Sequence, residues 1–88
     1  MASKANITFS FENKNILIQC LKSTKLKDIC RVCAHKIGYD INTLTFLYGG
    51  KIINMELSFE ELVVPVDKAN NQMKIIVEFI NFIIIFIF

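Results

Sequence analysis

Residues 44–62, LTFLYGGKIINMELSFEEL, decide the fold of this chain. The first five residues of this stretch, LTFLY, include several that favour β-strands. Gly49-Gly50 follows and lets the backbone turn sharply before the apolar pair Ile52-Ile53. This part of the stretch therefore predicts a β-hairpin.

The second half of the stretch carries a helix start. Ser58-Phe59-Glu60-Glu61 has the spacing of a capping box, in which the serine and the glutamate three residues later satisfy each other's free backbone amides. A short helix is expected to begin there and to end before Pro65.

Towards the amino terminus, the pattern predicts a first hairpin. Apolar and polar residues alternate over 7–11, and a polar turn follows at Glu12-Asn13-Lys14-Asn15. Over 16–21 the side chains continue to alternate between two faces, one of them apolar and the other only partly polar. Ile16, Ile18 and Cys20 fall on one face of the second strand, and Leu17 falls on the other.

The period then changes to that of an amphipathic helix. Leu26, Ile29, Cys33 and Ile37 recur at spacings of three and four, with Ser23 or Thr24 as the expected start and Gly38 as the stop. Beyond the hairpin and the short helix, residues 67–72 are expected to form a polar loop, and alternation over 73–78 predicts a last strand.

Composition limits what the chain can be. Its 88 residues allow one domain, and 53% hydrophobic with 20% charged residues excludes a disordered tail. The net charge of +2 is too balanced for a nucleic-acid binder. The first ten residues lack the apolar run of a secretory signal, so we expect a cytoplasmic protein whose three cysteines are thiols.

The order strand, strand, helix, strand, strand, short helix, strand, together with the Gly-Gly-Lys turn and the capped short helix, resembles ubiquitin and its ubiquitin-like relatives. The resemblance runs from Ile7 to about Phe79, and we assign residues 5–79 to a ubiquitin-like domain. It implies an α+β, ubiquitin-like β-grasp fold: a mixed five-stranded sheet with one crossing helix and a short second helix. The first and last strands would be parallel and central. The positions that such a family buries are apolar here: Ile7, Phe9, Ile16, Ile18, Cys20, Leu26, Ile29, Cys33, Phe46, Ile53, Phe59, Val64, Met73 and Ile75.

Cys30-Arg31-Val32-Cys33 is a C-x-x-C sequence, which can form a redox pair or half of a zinc site. Both cysteines fall a turn or more inside the predicted helix, away from the free amides that activate a thiol. His35, which would complete a zinc set, lies roughly 200° round the helix from Cys33. We therefore expect no metal, with Cys20 and Cys33 in the core and Cys30 at the edge of the apolar stripe.

No spacing in the chain indicates catalysis. His35 has neither a nucleophile nor an orienting acid beside it, and the capping role accounts for Glu61. We predict no enzyme activity, no cofactor and no small-molecule substrate.

Ubiquitin-like modifiers are conjugated through a carboxyl-terminal Gly-Gly, whereas Gly49-Gly50 belongs to a predicted hairpin. The resemblance therefore implies a non-conjugating module that binds partner proteins through the open face of the sheet. By the gapless match, Leu47 takes the central hydrophobic position of that face, Gly50 the neighbouring turn and Ile76 the apolar position on the last strand. Two departures are that Glu12-Asn13 replaces an apolar turn contact and that Lys74 replaces a histidine. We therefore expect Leu17 to contribute to a patch that differs from that of ubiquitin.

The last ten residues, FINFIIIFIF, are apolar except for Asn81. As a helix they would be about 15 Å long, half the thickness of the hydrocarbon core, so a membrane span is not expected. Three interpretations of a hydrophobic tail at 80–88 stay open: burial by a partner, pairing with another sheet edge, or translation of non-native A/T-rich sequence. The first supports an alternative function, a small structural subunit of a large protein assembly anchored by the tail.

Overall fold

The computed structural model describes residues 3–80. The hydrophobic tail predicted at 80–88 thus lies, except for Ile80, outside the described residues. The elements are β1 (Lys4–Phe11), β2 (Lys14–Leu21), α1 (Leu26–Ile37), a 3₁₀ turn (Ile41–Thr43), β3 (Leu44–Tyr48), β4 (Lys51–Ile52), α2 (Phe59–Leu62), α3 (Pro65–Ala69) and β5 (Gln72–Phe79).

The five strands form one sheet in the order β2-β1-β5-β3-β4. β1 and β5 pair in parallel at its centre, and the other neighbours are antiparallel. This arrangement confirms the predicted α+β β-grasp with its mixed five-stranded sheet.

The core lies between one face of the sheet and α1. α1 turns Leu26, Ile29 and Cys33 inward, as its three-four spacing predicted. From the sheet, Phe9 and Phe46 meet edge to face at the centre of the core, with ring centroids 6.0 Å apart. Full burial of one such side chain stabilises the fold by about 1.5–3 kcal/mol.

The predicted start of α1 at Ser23 or Thr24 is wrong. The cap is Lys25, which makes no side-chain capping bond. The free amides of the first turn are instead satisfied by a distant loop: the Leu26 N–H donates to the Leu57 carbonyl at 2.8 Å, and the Lys27 N–H donates to the Met55 carbonyl at 3.0 Å. Tertiary contact therefore replaces a local cap.

The predicted stop of α1 is confirmed. Gly38 has φ +82°, and its N–H donates to the Ala34 carbonyl at 3.0 Å. A side chain is disfavoured in this left-handed conformation, so glycine ends the helix here.

The capping box at the start of α2 is also confirmed. The Ser58 N–H donates to Glu61 Oε1 at 3.0 Å, and the Ser58 hydroxyl donates to the same oxygen at 3.1 Å. Ser58 is buried, so these bonds satisfy polar groups that would otherwise be costly to place there.

Three predictions near the core need correction. The polar loop expected from residue 67 begins instead as α3, because Pro65 suits the first position of a helix. Val64, expected in the core, is 45% exposed because the Tyr48 hydroxyl holds its backbone N–H, and not its side chain, just before α3. Cys30, expected at the edge of the helix stripe, is fully buried.

The cysteines are expected to differ in reactivity. Burial raises the pKa of the Cys33 thiol to about 11 and also raises the pKa of Cys30, with a further contribution from the nearby Cys33. Cys20 on β2 is only half-buried, and its pKa is raised by burial as well. Alkylation at pH 8 followed by mass spectrometry should label Cys20 first, because the other two need the fold to open.

In guanidinium all three thiols should react at similar rates. Labelling of native Cys30 as fast as Cys20 would contradict its position in the core.

Candidate protein-binding face

The sheet face away from α1 presents an apolar row across three strands. Leu47 on β3 stands directly opposite Ile76 on β5 and directly opposite Ile52 on β4. Side chains in such cross-strand positions lie about 4.5–5.5 Å apart at Cβ, close enough to pack together. We call Ile52, Leu47 and Ile76 the apolar row.

The row is open to solvent. Ile52 is 68% exposed and Ile76 is 38% exposed, while Leu47 between them is partly buried. Apolar side chains scattered singly over a surface need no explanation, but three in register form a continuous strip.

Ile52 was not among the predicted site residues. The two-residue turn at Gly49-Gly50 would have indicated it, because a hairpin closed between Tyr48 and Lys51 places residue 52 opposite residue 47. Counting the pairs from the turn therefore finds the third member of the row.

The other predicted residues lie around the row. Lys74 is exposed on β5, two residues before Ile76 on the same face. Gly50 is in the turn at φ +81°, with no atom within 4 Å of where a Cβ would stand, so its backbone conformation alone favours glycine. Leu17 stands on β2 opposite Thr8, and β1 lies between it and β5. The structure therefore brings Leu47 and Ile76 together and does not bring Leu17 to them.

Tyr48 fixes the β3–β4 hairpin, which carries Leu47 and Ile52 of the apolar row. The Tyr48 hydroxyl donates to Asp67 Oδ2 at 2.6 Å and accepts from the Val64 N–H at 3.2 Å. These bonds tie Val64, and α3 to which Asp67 belongs, to the end of β3. Ile52 and Val64 line a groove of about 370 Å³ between β4 and the residues that join α2 to α3.

Burial and, after it, the hydrogen bond to Asp67 raise the pKa of Tyr48. The raised value means that the protonated phenol is favoured by folding. The protonated phenol therefore contributes to the stability of the fold. This stabilisation is complete below the unfolded-state pKa of about 10 and is lost as the pH rises through the folded-state pKa.

Tyr48→Phe is expected to lower the free energy of unfolding by about 1 kcal/mol, because Asp67 and the Val64 amide lose their partner. Urea denaturation at pH 7 measures the change, with Tyr39→Phe as the matched control. The difference between wild type and Tyr48→Phe should shrink when the pH is raised well above 10. An unchanged difference there would show that the phenol proton plays no part.

The described residues offer little for metal chemistry. Within 3–80, no three His, Cys, Asp or Glu side chains come close enough to hold a metal ion. None of the helices described in that range is long and apolar enough to cross a membrane.

No protein-family model matches the sequence, and no curated protein matches it significantly. Solved structures match the fold. A chain in the crystal structure of the pParkin–pUb–UbcH7 complex superposes with a TM-score of 0.71 at 10% identity, over 85% of this chain and 22% of that one.

Two further matches have a size similar to that of this chain. An Arabidopsis thaliana protein solved by NMR with evolutionary couplings gives a TM-score of 0.72 at 13% identity, over 88% of this chain and 87% of its own. Caldiarchaeum subterraneum ubiquitin gives 0.71 at 10% identity, over 84% and 90%. The chain therefore has a ubiquitin-like fold, as its local signals predicted, and at these identities the likeness is one of fold.

Proposed function

We propose that this chain is a ubiquitin-like interaction module that binds partner proteins through the apolar row on its open sheet face. The observation that carries the proposal is the register in which Leu47 faces both Ile76 and Ile52. An apolar centre with a polar border is the composition of a protein-binding site. We place the domain at 5–79 and the protein in the cytoplasm.

The surroundings of the row suggest what a partner presents. Thr8 and Ser10 of β1 border it on one side, and Lys74 adds a positive charge on the same face. We therefore expect a partner with one apolar anchor over Leu47 and an acidic side chain near Lys74, with no role for nucleic acid or a small molecule.

We further propose that the module is neither conjugated through Gly49-Gly50 nor catalytic. Both glycines have positive φ in the β3–β4 turn, a conformation that explains their presence. Cleavage after Gly50 would separate β5 from β1, its central parallel neighbour. A ubiquitin-activating enzyme with ATP should therefore form no thioester with the protein.

Affinity capture with a double variant tests the binding face. Leu47→Asp with Ile76→Asp should lose the specific partners, because truncating a central apolar anchor costs more than about 1 kcal/mol in binding and a buried charge costs more still. The matched control is Val32→Asp with Val66→Asp, which makes the same change at exposed valines on α1 and α3.

Partners should be kept by wild type, by the control and by a chain ending at Ile80, and lost by the double variant. If the double variant keeps every partner while a chain ending at Ile80 loses them all, the face is not the binding site. The alternative function, a structural subunit anchored by its hydrophobic tail, would then replace this proposal.

A further inference from the structure

β2 is an edge strand with a free outer side. Within residues 3–80, β1 is the only strand that pairs with it. The Lys22 N–H donates to the Ser3 carbonyl at 2.9 Å, so Ser3 and Lys22 form a hydrogen-bonded pair at the end of the ladder. Because such pairs alternate along an antiparallel ladder, even-numbered residues of β2 bond to β1. The backbone groups of Asn15, Leu17, Gln19 and Leu21 consequently point outward. Of these groups, the Leu21 carbonyl also accepts from the Thr24 N–H at 3.1 Å.

This edge lacks the features that usually prevent strand pairing. β2 keeps a continuous register with β1 over eight residues, with no bulge, and it contains no proline. Its one charged residue is Lys14, at its start. The opposite edge of the sheet, β4, has only two residues and begins with a lysine. A long, uncharged and regular edge is a template for pairing with another strand, whereas a short or charged edge disfavours such pairing.

Two leucines on this edge are left in solvent. Leu17 is 64% exposed and Leu21 is 51% exposed, both on the open face of the sheet. Gln19 lies midway between them along β2, so the two leucines are placed symmetrically about that residue. This symmetry is what a two-fold contact between identical strands requires.

We propose that two copies of this chain pair through β2, antiparallel, with Gln19 of each copy on the two-fold axis. The outward backbone groups of odd-numbered residues then bond to one another. Leu17 of each copy stands opposite Leu21 of the other. The dimer therefore contains two Leu17–Leu21 pairs, and each exposed leucine gains one apolar neighbour.

Neighbouring registers are less favourable. With Ile18 on the axis, Lys14 would face Lys22 of the other copy, and like charges directly opposite each other are destabilising. With Leu17 on the axis, Leu21 would face Asn13, which lies in the turn outside β2. The Gln19 register alone pairs the two leucines and separates the lysines.

The dimer would be a ten-stranded sheet with both α1 helices on one side, because the two-fold axis runs perpendicular to the sheet. The two apolar rows would lie on the other side, three to five strands away from the new contact in each copy. Since the interface consists of one strand pair and four leucines, it falls at the small end of specific interfaces, and its formation should depend on concentration.

Disulfide trapping in the full chain tests the register. Gln19→Cys should give a disulfide-linked dimer under mild oxidation, because a hydrogen-bonded antiparallel pair has Cα atoms about 5.5 Å apart, within the span of a disulfide. Leu17→Cys alone should not cross-link, but a mixture of Leu17→Cys and Leu21→Cys should. Gln72→Cys, exposed on the same face of β5, is the control for random collision, and wild type is the control for Cys20. Cross-linking of Gln19→Cys no faster than of Gln72→Cys would overturn the proposal.

Charge substitution tests the contact without a cross-link. Leu17→Lys should weaken the dimer measured by sedimentation equilibrium at least about tenfold, since both leucine pairs are lost. Leu17→Glu with Leu21→Lys should restore it in low salt, because opposite charges then face each other. Val66→Lys, at an exposed valine on α3, should leave the dimer unchanged. Equal dimerisation of wild type and Leu17→Lys, or no dimer of wild type at any concentration, refutes the inference. Either result leaves the proposed function intact, because that function depends on the apolar row.

Discussion

Replacing Phe46 with alanine is expected to lower the free energy of unfolding by about 3–5 kcal/mol. Phe46 is fully buried on β3, stands opposite Val77 on β5 and packs edge to face against Phe9. Its removal leaves a cavity between the sheet and α1 that these neighbours can fill only in part. Urea denaturation followed by circular dichroism measures the loss, provided that the slope of the free energy of unfolding against urea concentration is the same in both proteins.

The control is Leu17→Ala, a comparable truncation of an exposed side chain on the open face. It should change the free energy of unfolding by less than about 0.5 kcal/mol at concentrations where the chain is monomeric. An equally small effect of Phe46→Ala would mean that β3 is displaced by one residue, because such a shift exchanges the two faces of a strand.

A chain that stops at Asn71 is expected to have no stable fold. β5 lies between β1 and β3, and it is the element through which the two hairpins join in one sheet. It also supplies Met73, Ile75 and Val77 to the core. Two hairpins without a shared strand are at best marginally stable in water. Collapse of amide chemical-shift dispersion in a proton–nitrogen NMR spectrum would report the loss.

The corresponding control is a chain that ends at Ile80 and so keeps all of β5. Its spectrum should remain dispersed. A folded spectrum from the chain ending at Asn71 would contradict the central position of β5.

The parts of the fold that were predictable from sequence are those with local causes. The turn at Gly49-Gly50 needs positive φ, and the cap at Ser58 needs a glutamate three residues on. Both causes can be read within a few residues. The 3₁₀ turn after Asp40 also has a local cause, because the Asp40 side chain accepts a hydrogen bond from the Asn42 N–H at 2.8 Å. This turn was not predicted from the sequence.

The errors about the start of α1 and about Val64 have non-local causes. α1 begins at Leu26 because carbonyls some thirty residues later accept its first amides, and no pattern near Ser23 encodes that contact. Val64 is apolar yet exposed because its backbone, not its side chain, is fixed by Tyr48. For the candidate site, Leu47 and Ile76 lie opposite each other because strands distant in sequence pair. The family resemblance implied this pairing, and periodicity alone could not have predicted it.

The parallel pairing of β1 with β5 determines how the protein should respond to mechanical force. β1 enters the sheet from the amino-terminal side and β5 leaves it towards the carboxyl terminus, with partners from Asn6–Gln72 to Phe11–Val77 in register. Tension applied at Lys4 and Phe79 would therefore pull the two strands past each other along their length. All of the inter-strand bonds would bear load together, instead of opening one after another from one end. Resistance to forced unfolding is governed by the unfolding rate. Pulling from these two points should therefore require a higher force than pulling at Asn13, in the turn between β1 and β2, where the bonds between these two strands would open one after another.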